Sequence, residues 1–541
     1  MKQFTLLTLS ALMSTVLWAS PRSLQQARRA APGMQHVYTA MQPNGQPAYY
    51  VFNRPNEGGY QIISADDRAY TVLAYTDKGH WDANDIPANA QAWLDMLAEE
   101  LQGISIDMLS SEEQTYTPVA PLCTTLWSQK SPYNNQCPTW EEKHCVAGCT
   151  AIAASQIMKK HNYPVHGIGS NSYKWANENG DSIVLSADFA NTTYDWNNML
   201  DQYDNTATSE QNDAVSTLVY HCGVANALNY TASNTGGNSQ RMVQNMIEHF
   251  GYDKSVRTYR KGYQPDSIIM KEIVYNLKYD QPIYISAKTE EGAGHAFVCD
   301  GMDAAGMLHI NWGWGGKSNG YYRLSALAPQ QQGTGGSATN KAYTHNIKLF
   351  TDIRPDANGD YYYSFTCDSI HFMQPAYHRD SLVRFQVDSF YNGCFTDWTG
   401  NFALLIYKDG EKYKSRTGKD RDPLRVGSTR SKMTYSANFT DRTDYPEGNY
   451  EIEIAVRVGE LSGSKKLYCK NIGIWKCQMT ITADSIYIVE PKATIPDPDP
   501  EESVEQVKQQ TPQSQKILRD GILYIRRNGR TYNVQGIKVN D

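Results

Sequence analysis

The sequence lacks a strong net charge, a second long apolar run and any internal repeat. Its 541 residues carry a formal charge of only −7, which gives no electrostatic reason to expect a nucleic-acid partner. After the first 20 residues no stretch approaches 18 uninterrupted apolar residues, so we expect no stable membrane span. The chain is long enough for three or four domains of ordinary size.

The one long apolar run opens the chain. Residues 1–19 begin with a basic Lys2, continue with apolar residues from Phe4 to Trp18, and end at the small residue Ala19. This pattern is typical of a secretory signal peptide and is too short for a membrane span. We therefore expect a secreted or cell-surface protein, in which the ten cysteines are able to form disulfides.

Residues 20–118 are predicted to form a small α+β unit. "AYYVFN", "YQIISADD" and "AYTVLAYT" are typical of strands. In the amphipathic helix that follows, the residues on one face are Leu94, Leu97, Leu101 and Ile104. The polar stretch "LSSEEQTYTPVAPL" contains two prolines and no periodicity, which indicates an exposed connector.

Residues 119–350 mix helical and strand-like patterns. The helix that follows Cys149 is expected to stop before Pro164, which cannot continue it. Three later runs, "PIYISA", "HAFVCDG" and "MLHINWGW", are typical of strands. This region is therefore predicted to be a mixed α+β domain.

Helical periodicity disappears from residue 351 onward. The alternating strands of residues 351–490 predict an antiparallel β-sandwich of immunoglobulin-like type. Residues 491–514 are rich in proline, acid and glutamine, which predicts a disordered linker. Residues 515–541 return to short strands with Asp-Gly and Asn-Gly turns. The predicted fold class of the whole chain is α+β.

Cys145 and Cys149 stand four residues apart at the start of a predicted helix. A cysteine in an exported protein is most often half of a disulfide. The close-paired spacing of a zinc knuckle is missing around them, so we expect no metal. Cys149 opens the helix, where unpaired N–H groups and the macrodipole favour a thiolate, whereas Cys145 lies one turn earlier. Cys149 is therefore the candidate nucleophile, with Cys145 as the alternative.

A thiolate nucleophile needs a base, and His295 has the most suggestive setting among the 12 histidines. It follows a glycine-containing turn and begins an apolar strand in "GAGHAFVCDG". Asn311 and Trp312, in "HINWGWGG", are candidates to orient and shield its imidazole. Gln129, in "LWSQKSPYNN", is the candidate donor to an oxyanion. The alternatives are a structural histidine, a tryptophan-rich core turn and a solvated glutamine.

Together these motifs resemble the streptopain family of papain-like cysteine peptidases. The matching segments are "WSQKSPYN", "CTAIAASQIMKKHNYP", "YDWNNML", "GAGHAFVCDG" and "HINWGWGGKSNGYYRLSALAP", in the family's order and approximate spacing. "GGYQIISADDRAYTVLAYTDKG" is similar to the inhibitory prodomain of that family. The resemblance implies a papain-like catalytic domain over residues 119–350 and an inhibitory prodomain over residues 20–118.

The resemblance also implies a role for each candidate residue. It makes Cys149 the nucleophile, His295 the general base and Gln129 the oxyanion donor, with Asn311 and Trp312 supporting the histidine. It implies protein and peptide substrates, an intramolecular inhibitor in the prodomain, and no cofactor. The family motif reads "CVA" at the nucleophile, and here "CVA" belongs to Cys145. The spacing to the downstream motif favours Cys149.

Two other functions stay open at this stage. One is a catalytically inactive papain-like adhesin or binding protein, and the other is a Cys–His amidase or acyl transferase. The joint presence of Cys149, His295 and Gln129 argues against the first, and the prodomain resemblance argues against the second. The end of the chain, residues 515–541, is similar to type IX secretion sorting tails, the alternative being a last hairpin of the β-sandwich.

The other cysteines constrain the fold less. If Cys149 is a free thiol, nine cysteines remain, so at least one more is unpaired. Cys222 and Cys299 lie in apolar runs and are expected to be buried core thiols. The candidate disulfides are Cys137–Cys145, Cys367–Cys394 and Cys469–Cys477.

Overall fold

The computed structural model describes residues 22–42, 44–67, 69–102, 115–140, 143–177, 179–288, 294–325, 347–459, 461–491, 514–519, 522–527, 530–533 and 538–539. The chain divides into two compact units, residues 1–496 and 497–541. The predicted signal peptide and all of the predicted linker except its first and last residues lie outside the described residues. Within the described part, no helix is both long and apolar enough to cross a membrane.

Residues 22–102 form the N-terminal region. Its elements are α1 Leu24–Ala30, β1 Gln35–Met41, β2 Pro47–Asn53, β3 Tyr60–Ser64, β4 Val72–Tyr75 and α2 Ala88–Gln102. The three predicted strands and the amphipathic helix are confirmed, and Leu94, Leu97 and Leu101 of α2 are buried. Ile104 lies outside the described residues. The sequence did not predict β1, whose residues are mostly exposed and show no clear apolar alternation.

Residues 115–351 form the central region. Its helices are α3 Cys149–His161, α4 Ser209–Ala225, α5 Ser239–Phe250 and α6 Asp266–Lys278. Its strands are β5 Thr139–Trp140, β6 Lys143–His144, β7 Ser170–Ala176, β8 Ser182–Asp188, β9 Arg257–Arg260, β10 Ile283–Lys288, β11 Gly294–Met302, β12 Leu308–Asn311, β13 Gly320–Tyr322 and β14 Lys348–Thr351. As predicted, α3 begins at Cys149 and ends before Pro164.

One ten-stranded sheet runs through both regions, in the order β1-β2-β3-β4-β13-β12-β11-β10-β14-β9. β4 of the N-terminal region pairs antiparallel with β13 of the central region, where Tyr75 lies opposite Tyr321. A single apolar core lies across this junction and includes Trp93 of α2 together with Phe297 and Trp312. The two regions are therefore one folded body.

Part of the predicted connector is fixed to the central region. The backbone N–H groups of Tyr116, Val119 and Leu122 donate to carbonyls of residues 304, 302 and 300, at 2.9, 2.8 and 2.8 Å. The side chains of residues 117, 118, 120 and 121 remain exposed. The connector is thus held along its second half, and residues 103–114 lie outside the described part.

Residues 365–491, the β-region, contain strands and no helix among the described residues. The strands are β15 Phe365–Cys367, β16 Ser369–Phe372, β17 Ala376–His378, β18 Leu382–Asn392, β19 Gly400–Lys408, β20 Glu411–Thr417, β21 Thr429–Asn438, β22 Gly448–Val458, β23 Lys465–Cys469, β24 Gly473–Ile474, β25 Lys476–Ile481 and β26 Ser485–Val489. They belong to one twelve-stranded assembly with a core of its own around Trp398 and Trp475. The strand-rich prediction is confirmed, and the immunoglobulin-like topology stays a prediction.

The cysteine pairs expected from the sequence are wrong. No disulfide bond joins any of the ten cysteines, all of which lie in the described residues. Cys367 of β15 lies directly opposite Cys469 of β23, two parallel strands whose register is set by long-range pairing. Spacing along the chain carries no information about that register. Cys222 and Cys299 are buried, as expected of core thiols.

The second unit is a separate four-stranded antiparallel sheet in the order β27-β28-β29-β30. Its strands are β27 Ser514–Arg519, β28 Ile522–Arg527, β29 Arg530–Asn533 and β30 Lys538–Val539. The predicted short strands are therefore confirmed. They form a sheet of their own and are not strands of the β-region.

Candidate active site

The candidate nucleophile, Cys149, is the first residue of α3, and the position before it requires glycine. Gly148 adopts φ 90° and ψ 134°, and no side chain caps the helix. A Cβ at this position would lie 3.0 Å from Thr235 Cγ2 and 3.1 Å from Leu228 Cδ1. The positive φ and the crowding both select glycine. The first-turn N–H groups of α3 are therefore available to stabilise negative charge near Cys149.

Cys149 reaches the strand that carries His295. Burial raises the pKa of the Cys149 thiol, and the nearby backbone N–H groups of Ala296 and Thr150 act in the opposite direction. Ala296 is the neighbour of His295 in β11. The fold therefore brings the thiol and the histidine strand together across 146 residues of sequence.

His295 occupies the start of β11, opposite Ala287 of β10. It is partly buried, and this burial lowers the pKa of its imidazole. Side chains alternate along a strand, so His295 shares a face of β11 with Phe297. The Phe297 ring lies 5.9 Å from the ring of Trp93 in α2, between centroids. The face of β11 that carries the histidine thus packs on the N-terminal region.

Gln129 lies in a segment tied to the loop before the nucleophile. Its carbonyl accepts a hydrogen bond of 2.9 Å from the N–H of Ala147, two residues before Cys149. Trp127 fixes the same segment, because its indole N–H donates to the Leu200 carbonyl at 2.8 Å and its own carbonyl accepts from Gly315 N–H at 2.9 Å. The Gln129 side chain is partly exposed.

Asn311 is buried and bonds to the segment that leads to Gln129. Its amide Nδ2 donates to the Thr125 carbonyl at 2.8 Å, and its Oδ1 accepts from Gly313 N–H at 3.1 Å. Both side-chain atoms therefore have partners away from the imidazole. The predicted contact between Asn311 and His295 stays a prediction.

Trp312 is fully buried behind β11. Its indole N–H donates to the Ser318 carbonyl at 3.0 Å, and its ring centroid lies 4.6 Å from that of Phe297. Trp312 therefore packs against the strand of His295 through Phe297, and its predicted role as support for the histidine remains a prediction.

Neither Thr125 nor Gln156 was singled out from the sequence as a site residue. Thr125 Oγ1 donates to Gln156 Oε1 at 3.0 Å, and both residues are buried. A buried amide in the middle of the small-residue helix was the available signal, because a glutamine normally faces water.

Comparison with known proteins agrees with this architecture. The peptidase C10 family matches residues 127–322, and the Spi protease inhibitor family matches residues 13–101. Streptopain of Streptococcus pyogenes serotype M1 is 32% identical over 308 residues, which cover 53% of this chain and 77% of streptopain. The thiol protease/hemagglutinin PrtT of Porphyromonas gingivalis is 30% identical over 343 residues, covering 60% of this chain and 39% of PrtT.

Among solved structures, a mutant fragment of Prevotella intermedia prointerpain A has a TM-score of 0.50 and 28% identity, and the match covers 59% of this chain and 98% of the fragment. This likeness confirms the papain-like fold that the sequence motifs implied. Since the match to streptopain covers more than two thirds of that protein, the chain belongs to the peptidase C10 family of streptopain-like cysteine peptidases.

Proposed function

We propose that this chain is the exported precursor of a cysteine endopeptidase that uses Cys149 as nucleophile and His295 as general base. The observation that carries the assignment is the packing of α3 against β11, where the Ala296 N–H lowers the pKa of the Cys149 thiol, because it brings the start of α3 to the residue beside His295. Cys145 is fully buried, and its N–H donates to the Pro138 carbonyl at 2.9 Å. A cysteine held in this way packs the fold and does not reach a substrate.

The proposed mechanism gives each of these residues one role. His295 takes the proton of the Cys149 thiol, and the thiolate attacks the carbonyl carbon of the scissile peptide. The Gln129 side chain and the Cys149 N–H donate to the oxyanion. His295 then protonates the leaving amine, and water attacks the thioester, so that the enzyme is regenerated. The charge changes are confined to protein groups and substrate.

The N-terminal region acts as an inhibitory prodomain in this proposal. Its α2 packs on Phe297 through Trp93, directly behind the strand of His295. Burial raises the pKa of the Cys149 thiol and lowers that of His295. Both shifts favour the neutral thiol and imidazole over the reactive ion pair. Removal of residues 22–102 would hydrate His295 and raise the pKa of its imidazole, which favours the ion pair.

Maturation is expected before the fixed part of the connector. Tyr116 and Val119 are hydrogen-bonded to the central region, and a peptidase needs an extended segment that it can lift into its own cleft. We therefore place the maturation cut between Ser110 and Tyr116. Residues 1–19 would serve as the signal peptide, and the separate C-terminal unit as the sorting tail for type IX secretion.

The test compares two cysteine variants of the full chain. Cys149→Ala should abolish cleavage of casein and self-maturation, while Cys145→Ala should cleave casein at near the normal rate. Active enzyme added to the Cys149→Ala precursor should trim it, which shows that the variant is folded. Activity in Cys149→Ala with an inactive but folded Cys145→Ala would overturn the assignment. An amide formed between the acyl part of a peptide substrate and an added amine, in place of the free acid, would indicate acyl transfer instead of hydrolysis.

A further inference from the structure

Three buried polar side chains meet behind the active site. Thr125, Gln156 and Asn311 are 1%, 0% and 1% exposed. They come from the segment that leads to Gln129, from α3 and from β12. Thr125 donates through Oγ1 to Gln156 Oε1 at 3.0 Å and accepts at its carbonyl from Asn311 Nδ2 at 2.8 Å. Thr125 is therefore held both by its side chain and by its backbone.

Gln156 lies on the same helix as the nucleophile, two turns after Cys149. Its neighbours Ala153, Ile152 and Ile157 are buried and apolar. Within the described residues its Nε2 has no hydrogen-bond partner. Burying an unpaired amide donor opposes folding, so an apolar side chain of similar size would serve stability better. The hydrogen bond that Gln156 Oε1 accepts from Thr125 explains why an amide occupies this position.

The Gln156–Thr125 hydrogen bond connects the helix of the nucleophile to the segment that carries Gln129. Because α3 is rigid over two turns, the Gln156–Thr125 hydrogen bond fixes the oxyanion segment relative to the Cys149 sulfur. Asn311 fixes the same residue relative to β12, the strand that pairs with the histidine strand β11. Thr125, which belongs to the Gln129 segment, is thus hydrogen-bonded both to the nucleophile helix α3, through Gln156, and to β12, through Asn311.

We propose that Gln156 is a positioning residue that, through Thr125, sets the distance between the Gln129 side chain and the Cys149 sulfur. This inference depends on the proposed function. Oxyanion donors act only when they lie within hydrogen-bond distance of the developing charge, and a misplacement near 1 Å costs about 10²-fold in rate. The role of Gln156 is therefore expected to appear in transition-state stabilisation and not in the reactivity of the thiol.

The experiment measures three quantities on matched variants. Thr125→Val and Gln156→Met remove the hydrogen bond while keeping the approximate side-chain size, and Thr125→Ser keeps the hydroxyl as the conservative control. Each full-length precursor is matured with a serine peptidase that is then inhibited. The measurements are kcat and KM on a peptide, inhibition by a peptide aldehyde whose adduct carries an oxyanion-like oxygen, and the rate of Cys149 alkylation by iodoacetamide.

Thr125→Val and Gln156→Met should each lower kcat about tenfold and weaken aldehyde inhibition in parallel, with KM and the alkylation rate unchanged. The double variant should be no worse than either single variant, because both break one hydrogen bond. Thr125→Ser should retain kcat. If Gln156→Met does not fold, Thr125→Val carries the test.

Two results would overturn the inference. One is an unchanged kcat in a folded Thr125→Val enzyme. The other is an equal loss of alkylation and turnover, which would indicate general distortion of α3. Failure of the proposed function is distinguishable, because iodoacetamide would then leave Cys149 unmodified in the wild-type enzyme.

Discussion

The central region has two neighbours, and it is joined to them by different kinds of contact. The N-terminal region shares its sheet and its apolar core. Trp93 packs with Phe297 and Trp312 in that core, and the Tyr60 and Tyr322 hydroxyls lie 2.6 Å apart across the junction. The β-region instead keeps a separate core around Trp398 and Trp475.

The contacts between the central region and the β-region are largely polar and aromatic. The buried Arg260 donates to Thr366 Oγ1 at 2.6 Å and to the Tyr263 hydroxyl at 2.9 Å. Its guanidinium carbon lies 4.9 Å from the centroid of the Tyr391 ring, and the Tyr391 hydroxyl donates to Gln240 Oε1 at 2.8 Å. This junction also has an apolar part, because Phe395 of the β-region packs into a core of the central region, 6.1 Å from the Phe350 ring between centroids.

The two kinds of contact indicate which neighbouring region can affect the active site. Packing of Trp93 against Phe297 connects the N-terminal region to the face of β11 that carries His295, whereas the β-region adds Phe395 to the core that contains Ala296 and Val298. Loss of residues 22–102 would uncover aromatic surface that is now buried. The N-terminal region is therefore part of the catalytic core while it remains attached, whereas most apolar residues of the β-region pack in a core of their own.

The largest effect is expected at the shared core. Trp93→Ala, made in the inactive Cys149→Ala precursor to prevent self-cleavage, should lower the free energy of unfolding of the N-terminal and central regions by about 3–5 kcal/mol, the usual cost of removing a buried tryptophan. Urea unfolding followed by domain-specific proteolysis would measure it. In the matched control, Trp398→Ala should destabilise the β-region and leave the unfolding transition of the N-terminal and central regions unchanged.

Equal shifts of both transitions in either variant would contradict the separation of cores. A loss below about 1 kcal/mol in Trp93→Ala would also contradict the shared core, because a buried tryptophan that packs on Phe297 and Trp312 costs more than that to remove.

An intermediate effect is expected in mild acid. Burial lowers the pKa of His161 and His221 in the central region to about 4 in each case. The unfolded chain, with a histidine pKa near 6.5, binds more protons between pH 6.5 and 4 than the folded one. The free energy of unfolding of the central region should therefore fall as the pH is lowered through this window, by at most about 2 kcal/mol for each histidine between pH 6.5 and 5.

Calorimetry of the Cys149→Ala precursor at pH 7 and pH 5 would measure this loss. His221→Gln, which keeps a polar group near the Tyr194 hydroxyl now 3.0 Å from His221 Nδ1, should reduce the pH dependence. A central-region transition that is insensitive to pH over this range would show that these histidines are not buried in their neutral form.

The smallest effect is expected at the polar junction. Arg260→Met should lower the free energy of unfolding by about 1–2 kcal/mol, because Thr366 and Tyr263 lose a charged hydrogen-bond donor in a buried site. The unfolding transition of the N-terminal and central regions and that of the β-region should move apart. Peptidase activity should be unchanged. Arg384→Met, at an exposed position of β18, is the control and should have no effect. A marked loss of activity in Arg260→Met would connect the β-region to the active site after all.

Local pattern predicted the elements that carry the chemistry. The small-residue run after Cys149 and the stop at Pro164 predicted α3, and apolar alternation predicted β11 and β12. The pairing of β4 with β13 was not predictable, because alternation identifies a strand but not a partner about 250 residues away. The contact between Cys367 and Cys469 was missed for the same reason.

The buried polar cluster escaped prediction for another reason. Thr125 and Gln156 are polar residue types that usually face water, and only the small and apolar residues around Gln156 indicate burial. Their importance appears only when α3 and the Gln129 segment are packed together. For Asn311, the sequence indicated a site residue but not its bond to the Thr125 carbonyl.

Latency is tested most directly by the activity of a precursor that cannot lose its N-terminal region. Residues 103–115 would be replaced by a proline–glycine segment of equal length, and gel electrophoresis would verify that the chain stays intact during the assay. A tethered inhibitor acts at an effective concentration near mM, so peptide hydrolysis should be about 10²-fold slower than in the mature enzyme, or slower still. Hydrolysis at the mature rate by the intact precursor would contradict the claim that the shared core holds the active site latent.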